Sequence, residues 1–282
     1  MNINDITDSQ LADMEMHIRG IYREAWEGLK EIEQSYFEEF QIRDQKMQEA
    51  IENGTYPIPD NMTPEQYYRQ WRMNQIGRDD RWISLRERMA ERMADADSVA
   101  ASYTVDKTPS IYTLNANYTA YTIEQAIQSQ SLGNGSTAGV AFDIVDEQTV
   151  KRLITEDVQL FPAPKVDVQK DLEWNRDALQ RTLVSSILQG KSISAIAESF
   201  QHVAGMGQNS AIRSARTAVT GAQNAGRCAS YEQAKNMGID IEQQWMCTLD
   251  DRTRASHQQL DGVRVKPGQK FEGHGLHAPI AY

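Results

Sequence analysis

A chain of 282 residues and 32.0 kDa, 40% apolar and 24% charged, has material for a sizeable core and about two folding units, which excludes a broadly disordered or collagen-like polymer. Its formal net charge of −11, from 29 basic and 40 acidic side chains, argues against a protein that coats nucleic acid or anionic membrane along its whole length. Two cysteines cannot build a disulfide framework, no apolar run approaches the ~18 residues of a bilayer span, and the acidic first residues lack a secretion pattern, so a soluble protein made in a reducing cytoplasm is expected.

From about 6 to 51 the apolar residues Ile18, Tyr22, Trp26, Leu29, Ile32, Tyr36 and Phe40 step by three or four, which predicts one long helix. Asn53-Gly54, Pro57 and Pro59 stop it. Thr63, Pro64 and Gln66 form a capping-box signature, and the stripe Tyr67, Trp71, Trp82, Leu85, Met89, Met93 and Ala96 predicts a second helix to about residue 101. Residues 1–101 are therefore expected to form a long antiparallel helical hairpin arm. Residues 102–165 read as a Tyr/Thr/Gly-rich connecting region. Within it a Gly-rich loop at 133–139 lacks the Lys-Ser or Lys-Thr of a phosphate loop, a strand is expected at 140–145, and a short helix at 146–157.

Residues 166–282 carry helical patterns at 167–189, 192–203 and 210–237, with Gly190 and Gly238 as stops. The period then changes from 3.6 to 2 at 239–245. A turn-helix segment at 250–260 and a short strand at 263–265 follow. The expected fold is mainly α with a small α+β C-terminal domain (core 209–272), in which the last long helix packs on a short β-hairpin.

Two segments hold more regularly spaced polar residues than a solvated surface requires. Arg216, Thr220, Asn224 and Arg227 fall at i, i+4, i+8 and i+11, on one helix face, among Ala215, Ala218, Ala222, Ala225 and Gly226. Small neighbours let another backbone approach, so the row is either a hydrogen-bonding face docked on a neighbouring element or an ordinary exposed face. The second segment, 245–262, is a tryptophan strand followed by a turn dense in Asp, Arg and Thr. Asp250 or Thr253 can cap a short helix, Arg252 can fork onto a carboxylate or carbonyl, and His257 can serve as ligand, base or structural partner. Catalysis is not the preferred reading. Cys228, Cys247 and His257 lack metal-ligand spacing, Ser256 beside His257 does not make a nucleophile–base pair, and adjacent Asp250 and Asp251 diverge in a turn. A polar clamp between the last helix and a small hairpin is the expected role, with no metal and no cofactor.

The pattern Arg216-Thr217-x-x-Thr220-x-Ala222-x-Asn224-x-Gly226-Arg227, followed by Trp245-x-x-Thr248-x-Asp250-x-Arg252-Thr253-x-x-x-His257-x-x-Leu260-Asp261-Gly262 and Phe271, resembles the phage head morphogenesis family typified by the phage Mu F protein. The resemblance spans roughly 175–282. It implies a mostly non-enzymatic minor capsid protein, carried in a few copies inside a tailed-phage or prophage head. Such a protein is associated with the portal vertex and with assembly and DNA packaging or ejection. Expected partners are the portal protein and, secondarily, a scaffold or major capsid protein, with no membrane and no small-molecule substrate. Expected localisation is the virion, with the host cytoplasm during assembly. The signature residues carried over are Arg216, Thr217, Thr220, Asn224, Arg227, Trp245, Asp250, Arg252, Thr253, His257, Asp261 and Gly262, held to be structural. Family members usually continue to an Asn-Cys-Arg-Cys ending that is missing here after Tyr282.

The charge is unevenly spread: −9 over 1–100, −4 over 101–200 and +2 over 201–282. Arg213, Arg216, Arg227, Arg252, Arg254 and Arg264 are therefore the expected DNA-facing set, giving weak, salt-sensitive contact through the C-terminal domain. The alternative is a toxin-like enzyme module, a hydrolase or nucleotide transferase, using His257, Arg252 and Asp250.

Overall fold

The computed structural model describes residues 3–77, 80–131, 141–156, 167–247, 249–251 and 253–271. The chain is mainly α, with one small two-stranded sheet near its C-terminus. Among the described residues six helices precede the sheet: α1 (Ile3–Glu52), α2 (Pro64–Gly77), α3 (Asp80–Ser131), α4 (Glu147–Glu156), α5 (Val168–Leu188) and α6 (Ile193–Asn236). Strand β1 (Gln243–Gln244), the short α7 (Ala255–Gln258) and β2 (Arg264–Val265) complete the described elements. Among the described residues no helix is long and apolar enough to cross a membrane.

The first helix and the capping box form as the spacing predicts. The Thr63 N–H donates to Gln66 Oε1 at 3.0 Å, and the Gln66 N–H returns to Thr63 Oγ1 at 3.2 Å. The second expected helix is described as α2 and α3, positions 78 and 79 lying outside the described residues. Three expectations change. Helix α3 then runs to Ser131 instead of ending near 101, straight through Pro109. Its buried stripe there is Thr104, Thr108, Ile111, Asn115, Ala116 and Ala120, a helical period written in small and polar residues. Side-chain donors in this half of the helix return to its own carbonyls. Thr108 Oγ1 donates to the Thr104 carbonyl (2.7 Å), Thr113 Oγ1 to that of Pro109 (2.9 Å), and Asn115 Nδ2 to that of Ile111 (2.9 Å).

The strand expected at 140–145 is not formed by residues 141–145, and position 140 lies outside the described residues, as does the 133–139 loop. Helix α3 side chains take the backbone groups a strand partner would have taken. Phe142 N–H donates to Glu124 Oε1 and Val145 N–H to Asn117 Oδ1, while Asn117 Nδ2 donates to the Val145 carbonyl, each at 2.9 Å. The helix that follows is capped by Asp146, whose Oδ1 accepts from Thr149 N–H at 2.8 Å. Finally, the helices expected at 192–203 and 210–237 are one continuous α6.

Contacts divide the chain into two compact units, one drawn from Met1–Glu15, Ser102–Pro164 and Arg213–Tyr282, the other from Met16–Ala101 and Lys165–Ile212. The second unit is built on an apolar cluster in which α1 gives Leu29, Phe37 and Phe40, α3 gives Trp82, Leu85, Met89 and Met93, α5 gives Leu179, Leu183 and Ile187, and α6 gives Ile196 and Phe200. Trp82 stacks on Phe200 with centroids 5.7 Å apart, and its indole N–H is satisfied by Gln180 Oε1 at 3.0 Å. Each such side chain contributes about 1.5–3 kcal/mol on full burial. Helix α2 closes one side with Arg72, buried over the Phe40 and Tyr68 rings and 3.2 Å from Asp44.

A polar layer interrupts this unit. The Tyr22 hydroxyl donates to the Asp97 carboxylate, and Gly207 of α6 lies against both; a Cβ there would stand 3.2 Å from Asp97 Oδ1 and 3.3 Å from Tyr22 Cε1. Burial above all, with the Asp171 carboxylate adding to it, pushes the Asp97 carboxyl above the usual carboxylate range, against the lowering effect of bonds from Tyr22 and Asn175. The folded state thus holds this proton more tightly than the unfolded chain. Stability from this group is complete below the ordinary carboxylate pKa and is lost as pH rises through the raised value. Asp97→Asn keeps an acceptor for Tyr22 and removes the buried charge. Calorimetry should give it a higher Tm than the parent at about pH 8, with the gap closing toward about pH 4.

Candidate functional site

The first unit brings the signature residues together on the second half of α6. Ala215, Ala218, Ala222 and Gly226 are buried or nearly so, as the small-residue spacing predicts. At Gly226 the backbones of α6 and α3 meet: an added Cβ would lie 2.4 Å from the Tyr112 carbonyl oxygen and 3.1 Å from the Ala116 nitrogen. Ser230, one turn on, donates its hydroxyl to the Ala116 carbonyl at 2.7 Å. Buried Asn115 of α3 donates to Thr7 Oγ1 of α1 at 3.2 Å, so the start of α1 is tied to the same bundle.

The polar row of α6 meets the first turns of α1. Arg216 Nε donates to Glu15 Oε1 at 2.5 Å, Arg227 Nη2 to Asn4 Oδ1 at 2.6 Å, and Gln223 Nε2 to the same oxygen at 3.2 Å. Thr217 returns its hydroxyl to the Arg213 carbonyl (3.0 Å), Thr220 is exposed and Asn224 is half-buried. Of the arginines read as DNA-facing, Arg216 and Arg227 therefore spend donors on α1, while Arg213, Arg254 and Arg264 are exposed. Arg252 lies outside the described residues, as do Thr248 and residues 272–282. Asn4, Glu15, Gln223 and Asn115 were not singled out by sequence reasoning. Their partners are 201 to 223 residues away, or 108 for Asn115, and no local spacing signals them.

After α6, Gly238 adopts φ +81° and the Ile239 N–H closes onto the Ala234 carbonyl at 3.0 Å, which ends the helix. The expected strand 239–245 shortens to β1, because Ile239 and Ile241 pack with Ala120, Phe142 and Ala234 instead of alternating across a sheet. Strands β1 and β2 pair antiparallel, Gln243 opposite Val265 and Gln244 opposite Arg264. Trp245 N–H to the Val263 carbonyl and Gly262 N–H to the Trp245 carbonyl, both 2.9 Å, extend the ladder.

Beneath it lies a miniature core of Trp245, Leu260 and Phe271. Trp245 meets Phe271 edge-on at 5.2 Å and His257 edge-on at 5.8 Å. Asp250 Oδ1 accepts from both the N–H and the hydroxyl of Thr253, each at 2.9 Å, and Asp261 Oδ1 accepts from Cys247 N–H at 3.0 Å. Lys235 in the last turn of α6 donates to the Pro267 carbonyl at 2.8 Å and fastens the hairpin to the helix.

Signature residues at this end are thus engaged in turns and ring packing; neither Asp250 nor Thr253 caps α7, whose N-cap position is Arg254 with no side-chain cap bond, because the Asp250 carboxylate is spent on Thr253. Burial, then the neighbouring Glu232 carboxylate, pushes the Cys228 thiol up to about 12, and desolvation raises Cys247 as well, which disfavours a thiolate nucleophile at either position near neutral pH. Among the described residues no three His, Cys, Asp or Glu side chains are grouped to hold a metal ion.

This geometry coincides with a family match. Residues 177–282 match the model of the family described as Phage Mu protein F like protein. Among curated relatives, Minor head protein GP7 of Bacillus phage SPP1 is 27% identical over 133 residues, 47% of this chain and 42% of that protein. NAD(+)--arginine ADP-ribosyltransferase EFV of Enterococcus faecalis (strain ATCC 700802 / V583) is 28% identical over 165 residues, 56% of this chain and 31% of that protein. The chain spans less than half the length of either relative. No solved structure gives a significant match.

The helix crossing yields a direct prediction. Gly226→Ala should cost about 1–3 kcal/mol of stability through overpacking, despite the ~1 kcal/mol that alanine gains in helix propensity. Gly205→Ala in the same helix, where a Cβ meets nothing within 4 Å, should raise stability; urea denaturation of the two variants checks both signs.

Proposed function

We propose that the chain is a minor head protein of a tailed phage or prophage, acting in head morphogenesis by docking to other head components, the portal protein first among them. The observation that carries this reading is the match of residues 177–282 to the Mu F-like family; within it Asp250 accepts from Thr253, Asp261 from Cys247, and His257 packs on Trp245. The similarity to a protein named as a minor head protein supports it. In this reading the protein resides in the virion after assembly in the host cytoplasm. It assists packaging or ejection of DNA without covering the genome. Exposed Arg213, Arg254 and Arg264 would give weak contact that weakens as salt rises. Co-expression with the cognate portal protein, followed by size exclusion, tests the partner: co-elution is expected, and separate elution at every salt concentration would contradict it.

A second reading follows from the similarity to a protein named as an arginine ADP-ribosyltransferase. The shared segment is 31% of that protein, and it must overlap the segment shared with the minor head protein, since 165 and 133 residues together exceed the chain. We assign the common part to docking and treat the chain as non-enzymatic. Incubation with labelled NAD and an arginine-rich acceptor should transfer no label; transfer abolished by His257→Ala, in a variant of unchanged circular dichroism, would overturn that assignment.

A further inference from the structure

Helices α5 and α6 leave a groove on the second unit that none of that unit's described residues fills. Its cavity of about 830 Å³ is floored by Ala178, Ala195 and Val203 and flanked by Trp174 and Met206, which stay 45% and 46% exposed. A second depression of about 520 Å³ shares Arg181 and Ser185 with the first and carries it on to Leu188, 57% exposed. On α5 the lining recurs at 174, 178, 181, 185 and 188, one helix face running about 20 Å at 1.5 Å per residue. Two neighbouring helices with an apolar furrow of that length are a seat for one further helix of about four turns.

Charge selects the guest. Arg181, Lys191 and His202 stand on the lining against a single acid, Glu198. Arg181 has no ion pair among the described residues, and Lys191 is engaged only by the Ser199 hydroxyl at 3.4 Å, so both charges are available to a ligand. This is a basic furrow on a chain of net charge −11. Helix α1 of a second copy is a poor guest. Its apolar stripe is buried in its own core, and its exposed Met16 and Ile42 stand about seven turns apart. Nearly all of the lining falls within the segment 177–282 that matches the head family. We infer that the α5–α6 groove receives an acidic amphipathic helix of another head protein, an inference that rests on the reading of the chain as a head protein.

The test uses the full chain and a fluorescein-labelled, helix-stabilised peptide of about 18 residues with leucines at i, i+4, i+7 and i+11 flanked by glutamates, compared with the same peptide carrying lysines. Anisotropy should show the glutamate peptide binding at least about tenfold more tightly, with Arg181→Glu reversing the preference and Ser185→Tyr, at an exposed position, cutting affinity by about tenfold or more. Circular dichroism establishes that both variants are folded. No binding up to about 1 mM, equal binding of the two peptides, indifference to Ser185→Tyr, or self-association abolished by Ser185→Tyr would each overturn the inference. Peptide binding without co-elution with any head protein would sink the head-protein reading alone, whereas co-elution unaffected by Ser185→Tyr would sink the groove alone.

Discussion

The first unit depends on two helix backbones approaching more closely than side chains allow. At Gly226 the missing Cβ lets α6 sit against the Tyr112 carbonyl of α3, and the alanines at 215, 218 and 222 keep the approach open along the helix. Packing this tight leaves little room for water, so polar groups at the crossing need protein partners. Ser230 finds the Ala116 carbonyl; Asn115 finds Ile111 and Thr7. The start of α1 is held by the same network, and with it Asn4 and Glu15, which receive Arg227 and Arg216. The polar face of α6 thus joins three helices of this unit.

How much of this was legible depended on whether a contact was local and apolar. Helix α1 could be read from a stripe of large apolar residues, and α2 from a cap whose two members lie three residues apart. The second half of α3 could not, because its stripe is Thr104, Thr108, Asn115 and Ala116, residues that resemble a loop until the side chains are seen returning to carbonyls four residues back. Residues 239 and 241 alternate like a strand, yet their hydrophobic partners are Ala120 and Phe142. At the candidate site the kinds of residue were readable from motif spacing, whereas the tie of α6 to the hairpin runs through Lys235, which no motif marked. The identities of Asn4 and Glu15 as partners were not, since more than 200 residues separate them from α6.

The C-terminal module shows how few residues can hold a hairpin with two-residue strands. Such a ladder is marginal alone. Here it rests on three rings and a leucine: Trp245 is enclosed by Phe271, His257 and Leu260. Its loops are closed by carboxylates that accept backbone N–H groups at 250 and 261, and Lys235 ties it to α6. Asp250 and His257, which could be taken for an acid and a base, here accept from Thr253 and pack edge-on against Trp245, respectively.

The most direct test of this account is quantitative mass spectrometry of purified, DNA-filled particles of the phage or induced prophage that encodes the chain. The account predicts the protein in those particles at a few copies per head, far below the major coat protein. Its absence from particles, while it accumulates free in the lysate, would contradict the central claim.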